Sequence, residues 1–542
     1  MSISKFHSIA SEKCLLQALN ELGRSSKLLW VVFIMSALAS LTNGLHSMSY
    51  VFIAEVPNYR CSIPELKNAN WTDEQIKNIS IIDDCQIYDY NYTYLASLMY
   101  EEAIEYVKDI ELNTSIVSCS SIVYENSGRS TIVNEWQLVC DRKLYRANTF
   151  FVFAFGRLLG FGILGIYADK YGRKKSLVIG LILQIIAVPS SAVIPWFLGY
   201  IFLKLVTGIS VGALYSSGYT IMSEVANDSR RKVLGVFADV MYPVGTCIIV
   251  TLAYFITNWR YLQMSLAVFT IPTMILIWSI PESPQWLISQ NHHDKAEKII
   301  EKYRKVIIAP SLVPDNLSLE SISTDCPKKS QFKMLIHRYF ESIRILFTNP
   351  SLRKNIIIMY FSFFVSISVG YCLVFSVDTF NINRYIYMAT VASSEILALM
   401  TVPVILIFLS CQNATVVLYI TASICMISIV VIPRNEIYIV LGMTMLSKFC
   451  LTACFTTNML FSSELFPPSV RNSSFGTSLL MGQVGCMTAP YIVDLLGKIA
   501  WWAPNTLCGT LALIAGLLIR LISKKELNNN DSNSHSEEEI KI

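Results

Sequence analysis

Ionisable and strongly polar side chains interrupt several long apolar segments of this sequence, at Arg157, Asp239, Glu395, Lys448 and Gln483. A charge at the centre of a membrane-spanning helix costs about 2.5–3.5 kcal/mol, so these groups should face a wet cavity or one another. Their types suit the binding of a small ion by charge and hydrogen bonding. No nucleotide-binding loop or metal-ligand spacing accompanies them, and the six histidines are scattered. We therefore predict no enzyme activity, no cofactor and no metal.

Two interpretations of these charges are open at the level of sequence. In the first, the charges pair with one another, for example Arg157 with Asp239, and serve only the structure. In the second, at least one acid remains available to a cationic ligand, and Arg157 helps to hold a carboxylate of the substrate. The aromatic residues Phe363 and Tyr371 lie in another apolar segment, and aromatic faces attract ammonium groups through cation–π interactions.

The elements that must position these residues are apolar runs of membrane length. The 542-residue chain is 53% hydrophobic and 15% charged, with a mean hydropathy of +0.48, whereas soluble domains carry about 25% charged residues. A run of about 20 apolar residues spans a bilayer as a helix. We predict an all-α polytopic membrane protein with twelve spans, near residues 28–48, 147–167, 176–195, 199–222, 233–256, 261–280, 355–376, 386–409, 415–432, 437–461, 474–496 and 505–522.

Basic residues lie mainly in the loops on one side of these spans. The loops after spans 2 and 4 hold Lys170, Arg173, Lys174, Lys175, Arg230, Arg231 and Lys232, whereas the opposite short loops hold single bases. Cytoplasmic loops carry the excess of Lys and Arg. We therefore predict a multi-pass protein of the plasma membrane, embedded in the lipid bilayer, with both termini cytoplasmic.

This orientation places the long loop 49–146 outside the cell. The loop contains four glycosylation sequons, at Asn70, Asn78, Asn91 and Asn113, and four cysteines, Cys61, Cys85, Cys119 and Cys140. Sequons and an even number of cysteines are typical of an oxidising compartment. The sequence predicts an ordered ectodomain with two disulfides, for which three pairings are open.

The remaining segments complete the predicted domain organisation. A cytoplasmic segment, 1–27, precedes an N-terminal six-helix half, 28–280, which includes the large loop. A cytoplasmic linker, 281–354, separates it from a C-terminal half, 355–522, and a disordered tail, 523–542, follows. The tail ends in Ile540–Ile542, which gives a weak prediction of a PDZ-type partner. Nothing in the charge pattern predicts a nucleic-acid partner.

An internal repeat supports the division into halves. Span 4 ends in Glu224 with Arg231 seven residues later, and span 10 ends in Glu464 with Arg471 at the same spacing. Two six-helix halves are a recurring transporter plan, with the substrate site at the bilayer midplane between them. Acid–base pairs at helix ends can form in one state and break in another. We predict such gating pairs for Asp169 with Arg173 and for Glu224 with Arg230 or Arg231, with Glu282, Glu464 and Arg471 as further gating residues.

Four motifs carry a resemblance to a known family. Gly165–Lys174 (GIYADKYGRK) resembles the loop motif of the major facilitator superfamily. Glu135–Cys140 (EWQLVC), Pro281–Leu287 (PESPQWL) and Ser463–Asn472 (SELFPPSVRN) resemble segments of its organic cation, anion and carnitine transporter family. The family's loop between spans 8 and 9 usually carries bases, but Ser410–Ala414 has none here. The gate network is therefore expected to be asymmetric.

The resemblance also implies roles for the cavity residues. Glu395 falls where the organic cation branch has a glutamate, and Lys448 and Tyr371 match a family lysine and tyrosine. Asp239 stands where relatives carry a glutamine, and Phe363 where they carry tryptophan. Gln483 occupies the position associated with charge preference. The family has an apolar residue at position 157, so Arg157 is particular to this chain.

These observations predict a transporter of small organic ions that works by alternating access. Organic cations or zwitterions, such as carnitine-like or amine-conjugate solutes, are favoured by Asp239 and Glu395. An organic anion carrier is the alternative, favoured by Arg157 and Lys448. A further alternative is a membrane receptor that transports nothing. In span 2, Gly156, Gly160 and Gly165 are expected to allow close approach of a neighbouring helix.

Overall fold

Twelve helices long and apolar enough to cross a membrane make up most of the chain, as predicted. The computed structural model describes residues 15–522 apart from 16–17, 24–25, 84, 111–113, 120, 125–127, 304–340, 342, 379, 381 and 434. Spans 1 to 12 are Lys27–Ile53, Cys140–Tyr171, Arg173–Val193, Phe197–Val225, Val233–Phe255, Trp259–Ser279, Pro350–Asp378, Arg384–Phe408, Cys411–Ser428, Ile437–Leu465, Ser473–Ile499 and Ala503–Arg520. Several spans exceed the predicted runs, because polar turns continue the helix beyond the apolar part.

The spans form two bundles of six, which meet along two pairs of helices. Within the first bundle, span 4 packs against spans 2 and 3, and span 5 packs against span 1. In the second bundle, span 7 packs against span 11, and span 9 packs against spans 10 and 12. Between the bundles, span 2 packs against span 11 and span 5 against span 8. The predicted arrangement of two six-helix halves is confirmed.

Glycines bring span 2 and span 4 unusually close together. A Cβ atom built on Gly156 would lie 2.2 Å from Leu205 O, and one built on Gly208 would lie 2.1 Å from Phe153 O. Gly160 and Gly212 make equally close approaches one turn further along. Small residues allow such backbone contact in membrane helices. The prediction was wrong for Gly165, because a Cβ atom there would meet no atom within 4 Å.

The segment between spans 1 and 2 folds as a small unit, which we call the loop domain (residues 54–139). It contains the strands β1 (Tyr59–Ser62), β2 (Ile81–Asp83), β3 (Gln86–Tyr88), β4 (Ile116–Ser118) and β5 (Ser121–Tyr124). Strand β1 pairs with β5, and β3 lies between β2 and β4, all antiparallel. Its helices are Pro64–Asn68, Asp73–Ser80, Tyr92–Leu95, Tyr100–Ile110 and Ile132–Trp136. These strands are the exception to the predicted all-α class.

Two disulfides hold the loop domain. The structure pairs Cys61 with Cys119 and Cys85 with Cys140, with Cα–Cα distances of 5.6 and 5.4 Å. The second bond ties the loop domain to the first residue of span 2. The sequon residues Asn70, Asn78 and Asn91 are exposed, and Asn113 lies outside the described residues. We call the end of the molecule that carries this domain the loop end.

The opposite end carries the connection between the halves, and we call it the linker end. Two short helices, Pro284–Ser289 and His293–Tyr303, follow span 6 there. Residues 304–340 of the predicted linker are outside the described part of the chain. The predicted tail, 523–542, and most of the predicted N-terminal segment are also outside it, and so is the predicted PDZ-type terminus.

Candidate functional site

A cavity of about 180 Å³ lies between the two halves, at the level where the apolar spans carry their charges. Six of the seven predicted binding residues line it: Arg157, Asp239, Tyr371, Glu395, Lys448 and Gln483. They come from spans 2, 5, 7, 8, 10 and 11. The structure therefore brings together residues that are far apart in the sequence, from both halves of the molecule.

Phe363 is the exception and is not among the lining residues. Its side chain is fully buried, and its ring packs edge-on against Phe455, with the ring centroids 6.0 Å apart. Phe455 belongs to span 10, so the Phe363 ring fills the packing between spans 7 and 10. Phe455 lines the cavity in front of it.

Lys448 and Glu395 form a buried ion pair in the second half. The Lys448 Nζ atom lies 2.8 Å from Glu395 Oε1, and both side chains are less than 10% exposed. Lys448 also donates a hydrogen bond to the carbonyl of Gly370, at 3.1 Å. The other Glu395 oxygen is buried without a hydrogen-bond partner. The two charges thus neutralise each other, and Glu395 does not stand as a free acid.

Asp239 lies where span 5 breaks. One helical segment ends at Asp239 and the next begins at Met241. Pro243 has no N–H, so it cannot donate to the carbonyl of Asp239 four residues earlier. The Asp239 side chain accepts a hydrogen bond from the Tyr215 hydroxyl, at 2.9 Å. No basic side chain in the described part of the chain forms an ion pair with it, so Asp239 is the acid that remains available in the cavity.

Arg157 is buried and held by neutral groups from both halves. Its Nε donates to Gln483 at 2.8 Å, and its Nη2 contacts the Cys486 sulfur at 3.1 Å. Its Nη1 donates to three oxygens at 3.0–3.2 Å, those of Asn43, Ser47 and Tyr371. The suggested pairing of Arg157 with Asp239 is therefore wrong, because the guanidinium fork is occupied by neutral partners. Its positive charge is compensated by dipoles and by no carboxylate.

Aromatic side chains line the cavity around these two charges. Tyr242 and Tyr371 share a hydrogen bond between their hydroxyls at 2.9 Å, and the Arg157 guanidinium lies 5.7 Å from the Tyr371 ring centroid. Phe161 and Tyr215 also line the cavity and stack edge-on. Sequence reasoning missed Tyr215 and Tyr242, although Tyr242 lies three residues after Asp239 and thus on the same helical face.

At the linker end, one guanidinium joins two of the predicted gating acids. Arg173 Nη2 lies 2.9 Å from Asp169 and 2.9 Å from Glu224, and its Nη1 donates to the carbonyl of Ala168. The sequence predicts the pair of Asp169 with Arg173, and for Glu224 it predicts Arg230 or Arg231 as the partner. Arg230 is exposed. The cluster lies entirely within the first half, at the ends of spans 2, 3 and 4.

Glu282 fastens the start of the linker to this cluster. Its Oε1 accepts hydrogen bonds from the backbone N–H groups of Lys174 and Ser283, and the Trp286 indole donates to the carbonyl of Asp169 at 2.8 Å. Gly172 lies between them with φ +114°, a backbone conformation that favours glycine. The spacing of the PESPQWL segment thus places an acid and an indole against the loop between spans 2 and 3.

At the linker end of the second half, the predicted gating residues Glu464 and Arg471 contact groups of that same half. Glu464 accepts a contact from the Cys411 thiol at 3.5 Å. Arg471 is exposed and donates to the carbonyl of Phe466 at 3.4 Å. The expected asymmetry of the gate network stays a prediction.

Comparisons with known proteins agree with this fold. The family model described as the Major Facilitator Superfamily matches residues 147–490. The chain belongs to this superfamily. Its fold is similar to that of the xylose transporter XylE from E. coli, with a TM-score of 0.58 and 13% identity, over 92% of this chain and 98% of that one. The prediction of a transporter rather than an enzyme is confirmed by this membership.

Curated relatives within the superfamily are organic ion transporters. The chain is 29% identical to the organic cation transporter protein of Drosophila melanogaster, over 91% of this chain and 88% of the relative. It is 28% identical to the human organic cation/carnitine transporter 2, over 90% and 87%. It is also 27% identical to the organic anion transporter 3 of Sus scrofa, over 73% and 72%. The predicted resemblance to the organic cation, anion and carnitine transporters is confirmed.

This member of the superfamily has a second charge cluster that sequence reasoning missed, at the loop end. We call it the loop-end latch: Glu55, Arg146, Asp378, Arg384 and Asp494. Arg146 of the first half contacts Asp378 at 2.7 Å and Asp494 at 3.4 Å, both in the second half. Arg384 contacts Glu55 at 3.4 Å and also pairs with Asp378. One feature of the sequence could have revealed the latch. Charges of opposite sign lie at the same end of spans that belong to different halves.

Further bonds between the halves cluster beside this latch. Tyr491 donates to Asn148, and Arg384 donates to the carbonyl of Val51 at 2.7 Å. Arg129 donates to the Tyr385 hydroxyl at 2.9 Å. In the part of the chain that the structure describes, the polar contacts between the halves therefore lie at the cavity and on its loop side. The described part of the transporter is closed at the loop end.

Proposed function

We propose that this protein carries small organic cations or zwitterions across the plasma membrane by alternating access. The observation that carries the proposal is Asp239, a half-buried carboxylate of the central cavity that has a tyrosine partner and, within the described residues, no basic one. A partly buried charge is costly unless it is paired. An ammonium group of a substrate would supply the missing partner.

The aromatic rings around Asp239 suit the same ligand. Tyr215, Tyr242 and Phe161 present π faces or edges to the cavity. Cation–π attraction contributes about 0.5–2 kcal/mol for each well-placed ring. A substituted ammonium group, which is large and weakly hydrated, gains more from this surrounding than a metal cation would. The relatives named as organic cation transporters support the same substrate class.

Arg157 supports zwitterions over simple cations. Its five hydrogen bonds go to neutral groups, so a substrate carboxylate could exchange for one of them and gain a charge-assisted bond. The same residue, with the relative named organic anion transporter 3, favours the second candidate, an organic anion carrier. The two candidates differ in whether Asp239 is required.

We also propose the orientation and the gates. The bases of the linker-end loops, together with the exposed sequons and the disulfides of the loop domain, support a cytoplasmic linker end and an extracellular loop end. The latch is then the outer gate, closed in this structure. The cluster of Asp169, Arg173 and Glu224 is then part of the inner gate. Uptake of a cation gains about 2.3 kcal/mol per 100 mV of membrane potential, so it needs no coupled ion.

The test is uptake of labelled tetraethylammonium, carnitine, para-aminohippurate and glucose by cells expressing the protein, with and without external sodium. Asp239→Asn should reduce uptake of the carried cation or zwitterion at least tenfold, because a charged hydrogen bond worth about 1.5–3 kcal/mol is lost. Asp73→Asn is the matched control, since Asp73 lies on the loop domain and pairs with Arg60. Surface expression of each variant is measured in parallel.

Three outcomes discriminate among the functions. Uptake of carnitine or tetraethylammonium that depends on Asp239 supports the proposal. Uptake of para-aminohippurate alone, unchanged in Asp239→Asn, would establish the anion carrier. No uptake of any solute by protein at the cell surface would support the receptor that transports nothing.

A further inference from the structure

A second and larger cavity, of about 870 Å³, lies at the loop end, between the loop domain and the ends of spans 2, 7, 8 and 11. We call it the vestibule. Its volume is within the range of about 300–1,000 Å³ that is typical of sites for small organic ligands. Three acids line it, those of the latch, and so do six bases: Arg60, Lys77, Lys143, Arg146, Arg384 and Lys498.

The three acids of the vestibule form ion pairs with arginines. Three lysines of the vestibule form no ion pair within the described residues. Asp378 and Asp494 pair with Arg146, and Glu55 pairs with Arg384. Arg60 pairs with an aspartate of the loop domain. Within the described part of the chain, none of the three lysines Lys77, Lys143 and Lys498 forms an ion pair. The vestibule therefore has a surplus of positive charge.

Two of these lysines belong to different halves of the molecule. Lys143 lies at the start of span 2 and Lys498 near the end of span 11. Both side chains line the vestibule in this closed arrangement. Closing the loop end brings these two cations together, so the closed arrangement carries a repulsion that an anion between them would remove.

The floor of the vestibule has polar atoms without partners. Arg146 lines the cavity, its side chain is 7% exposed, and its Nε is a buried donor without a hydrogen-bond acceptor. The Asp494 Oδ2 atom is a buried acceptor without a donor. Leaving a buried polar atom unsatisfied is unfavourable. Both atoms lie below the accessible surface, so a ligand satisfies them only after the Arg146 and Asp494 side chains turn toward the vestibule, and it then needs an oxygen acceptor and a hydroxyl donor.

We propose that the vestibule binds a small soluble organic anion that carries two or more carboxylates and a hydroxyl group, and that its binding stabilises the closed loop end. The carboxylates would lie among Lys77, Lys143 and Lys498, and Arg146 Nε would donate to one of their oxygens after its side chain turns toward the vestibule. Because the anion contacts both halves, it favours the state in which the halves are together. This site is separate from the central cavity and does not depend on which solute is carried.

The experiment measures binding of citrate to the full-length protein in nanodiscs of phosphatidylcholine, so that no anionic lipid competes. The midpoint of thermal unfolding should rise saturably with citrate concentration, and added NaCl should weaken the effect. Lys143→Gln/Lys498→Gln should raise the apparent Kd at least tenfold. Lys108→Gln, a loop-domain lysine that does not line the vestibule, should match the wild type.

Two further binding measurements test the proposal independently of the double variant. Lys77→Gln, on the exposed surface of the loop domain, should weaken citrate binding about threefold even if the double variant does not fold. Tricarballylate, which is citrate without the hydroxyl, should bind more weakly than citrate. The proposal is overturned if citrate produces no saturable shift in the wild type, or if the lysine variants bind citrate with the wild-type Kd.

Discussion

At the scale of single residues, the ion pair between Lys448 and Glu395 explains why one of the two cavity acids is not free. Breaking a buried pair by removing one partner costs about 3–5 kcal/mol, because the other charge stays buried without compensation. We expect Lys448→Met to destabilise the protein by about this amount. The double variant Lys448→Met/Glu395→Gln should recover most of the loss, because both charges are removed. The free energy of unfolding of each variant is measured by chemical unfolding of the purified protein in detergent.

One outcome of this double-mutant cycle would contradict the prediction. If Lys448→Met and the double variant were equally unstable, the loss would come from the hydrogen bond to Gly370 and from packing, and the carboxylate of Glu395 would carry no uncompensated charge. The same double variant should retain dependence of uptake on Asp239, since the two acids lie on different spans.

Arg157 leads to a prediction about selectivity. Arg157→Met removes the positive charge from the cavity, while its apolar side chain keeps much of the volume. We expect the ratio of tetraethylammonium to carnitine uptake to rise at least tenfold, because repulsion of the cation is lost together with the partner for the carboxylate. Arg157→Lys, which keeps the charge, should change this ratio less than Arg157→Met does. An unchanged ratio in Arg157→Met would assign to this residue a purely structural role between the halves.

At the scale of elements, the packing of span 2 on span 4 depends on glycines. Gly208→Ala would place a methyl group 2.1 Å from the carbonyl oxygen of Phe153, so the two helices must separate. We expect a loss of about 1–3 kcal/mol, the range typical of overpacking, measured as the shift in thermal unfolding of the purified protein. Arg157 lies on the same face of span 2, one turn after Phe153, so uptake should also fall.

Gly165→Ala is the matched control for this substitution. It lies in the same span 2 but in open space, and alanine is favoured over glycine in a helix by about 1 kcal/mol. We expect Gly165→Ala to be neutral or slightly stabilising. Equal destabilisation by both substitutions would show that helix separation is not the cause.

Much of this architecture could be predicted from the sequence, because it follows from local properties. Membrane helices depend on the length and hydropathy of single segments, and all twelve were found in this way. Ionisable residues inside apolar spans also predict that these groups face a wet cavity or one another, and Arg157, Asp239, Glu395 and Lys448 all line one cavity.

The partners of these residues could not be predicted, because pairing depends on the rotation and packing of helices from distant parts of the chain. Glu395 has a lysine and Asp239 has a tyrosine, yet both are acids at a similar depth. For the same reason, Phe363 packs against Phe455 of span 10 and does not line the cavity. The strands of the loop domain were missed because each is only three or four residues long.

At the scale of the whole molecule, the latch holds the two halves together at the loop end. Arg146 bonds to two acids of the opposite half. Differential contacts of this kind set the balance between two global states, and coupling free energies of 1–3 kcal/mol change populations 5–150-fold. The central cavity, by contrast, is lined by both halves in this closed arrangement. Losing the latch should therefore change the conformational equilibrium more than the fold.

Arg146→Gln is expected to open the loop end, because Asp378 and Asp494 then lose their shared cation. Spin labels introduced as unnatural amino acids at Leu198 and Ile499, both 78% exposed and in opposite halves, measure this opening as a longer interspin distance. Arg260→Gln is the control, since Arg260 pairs with Glu135 inside the first half. We expect the long-distance population to rise at least fivefold in Arg146→Gln and to stay at the wild-type value in Arg260→Gln. An unchanged distance distribution in Arg146→Gln would show that packing of span 2 on span 11, and not the charges, closes the loop end.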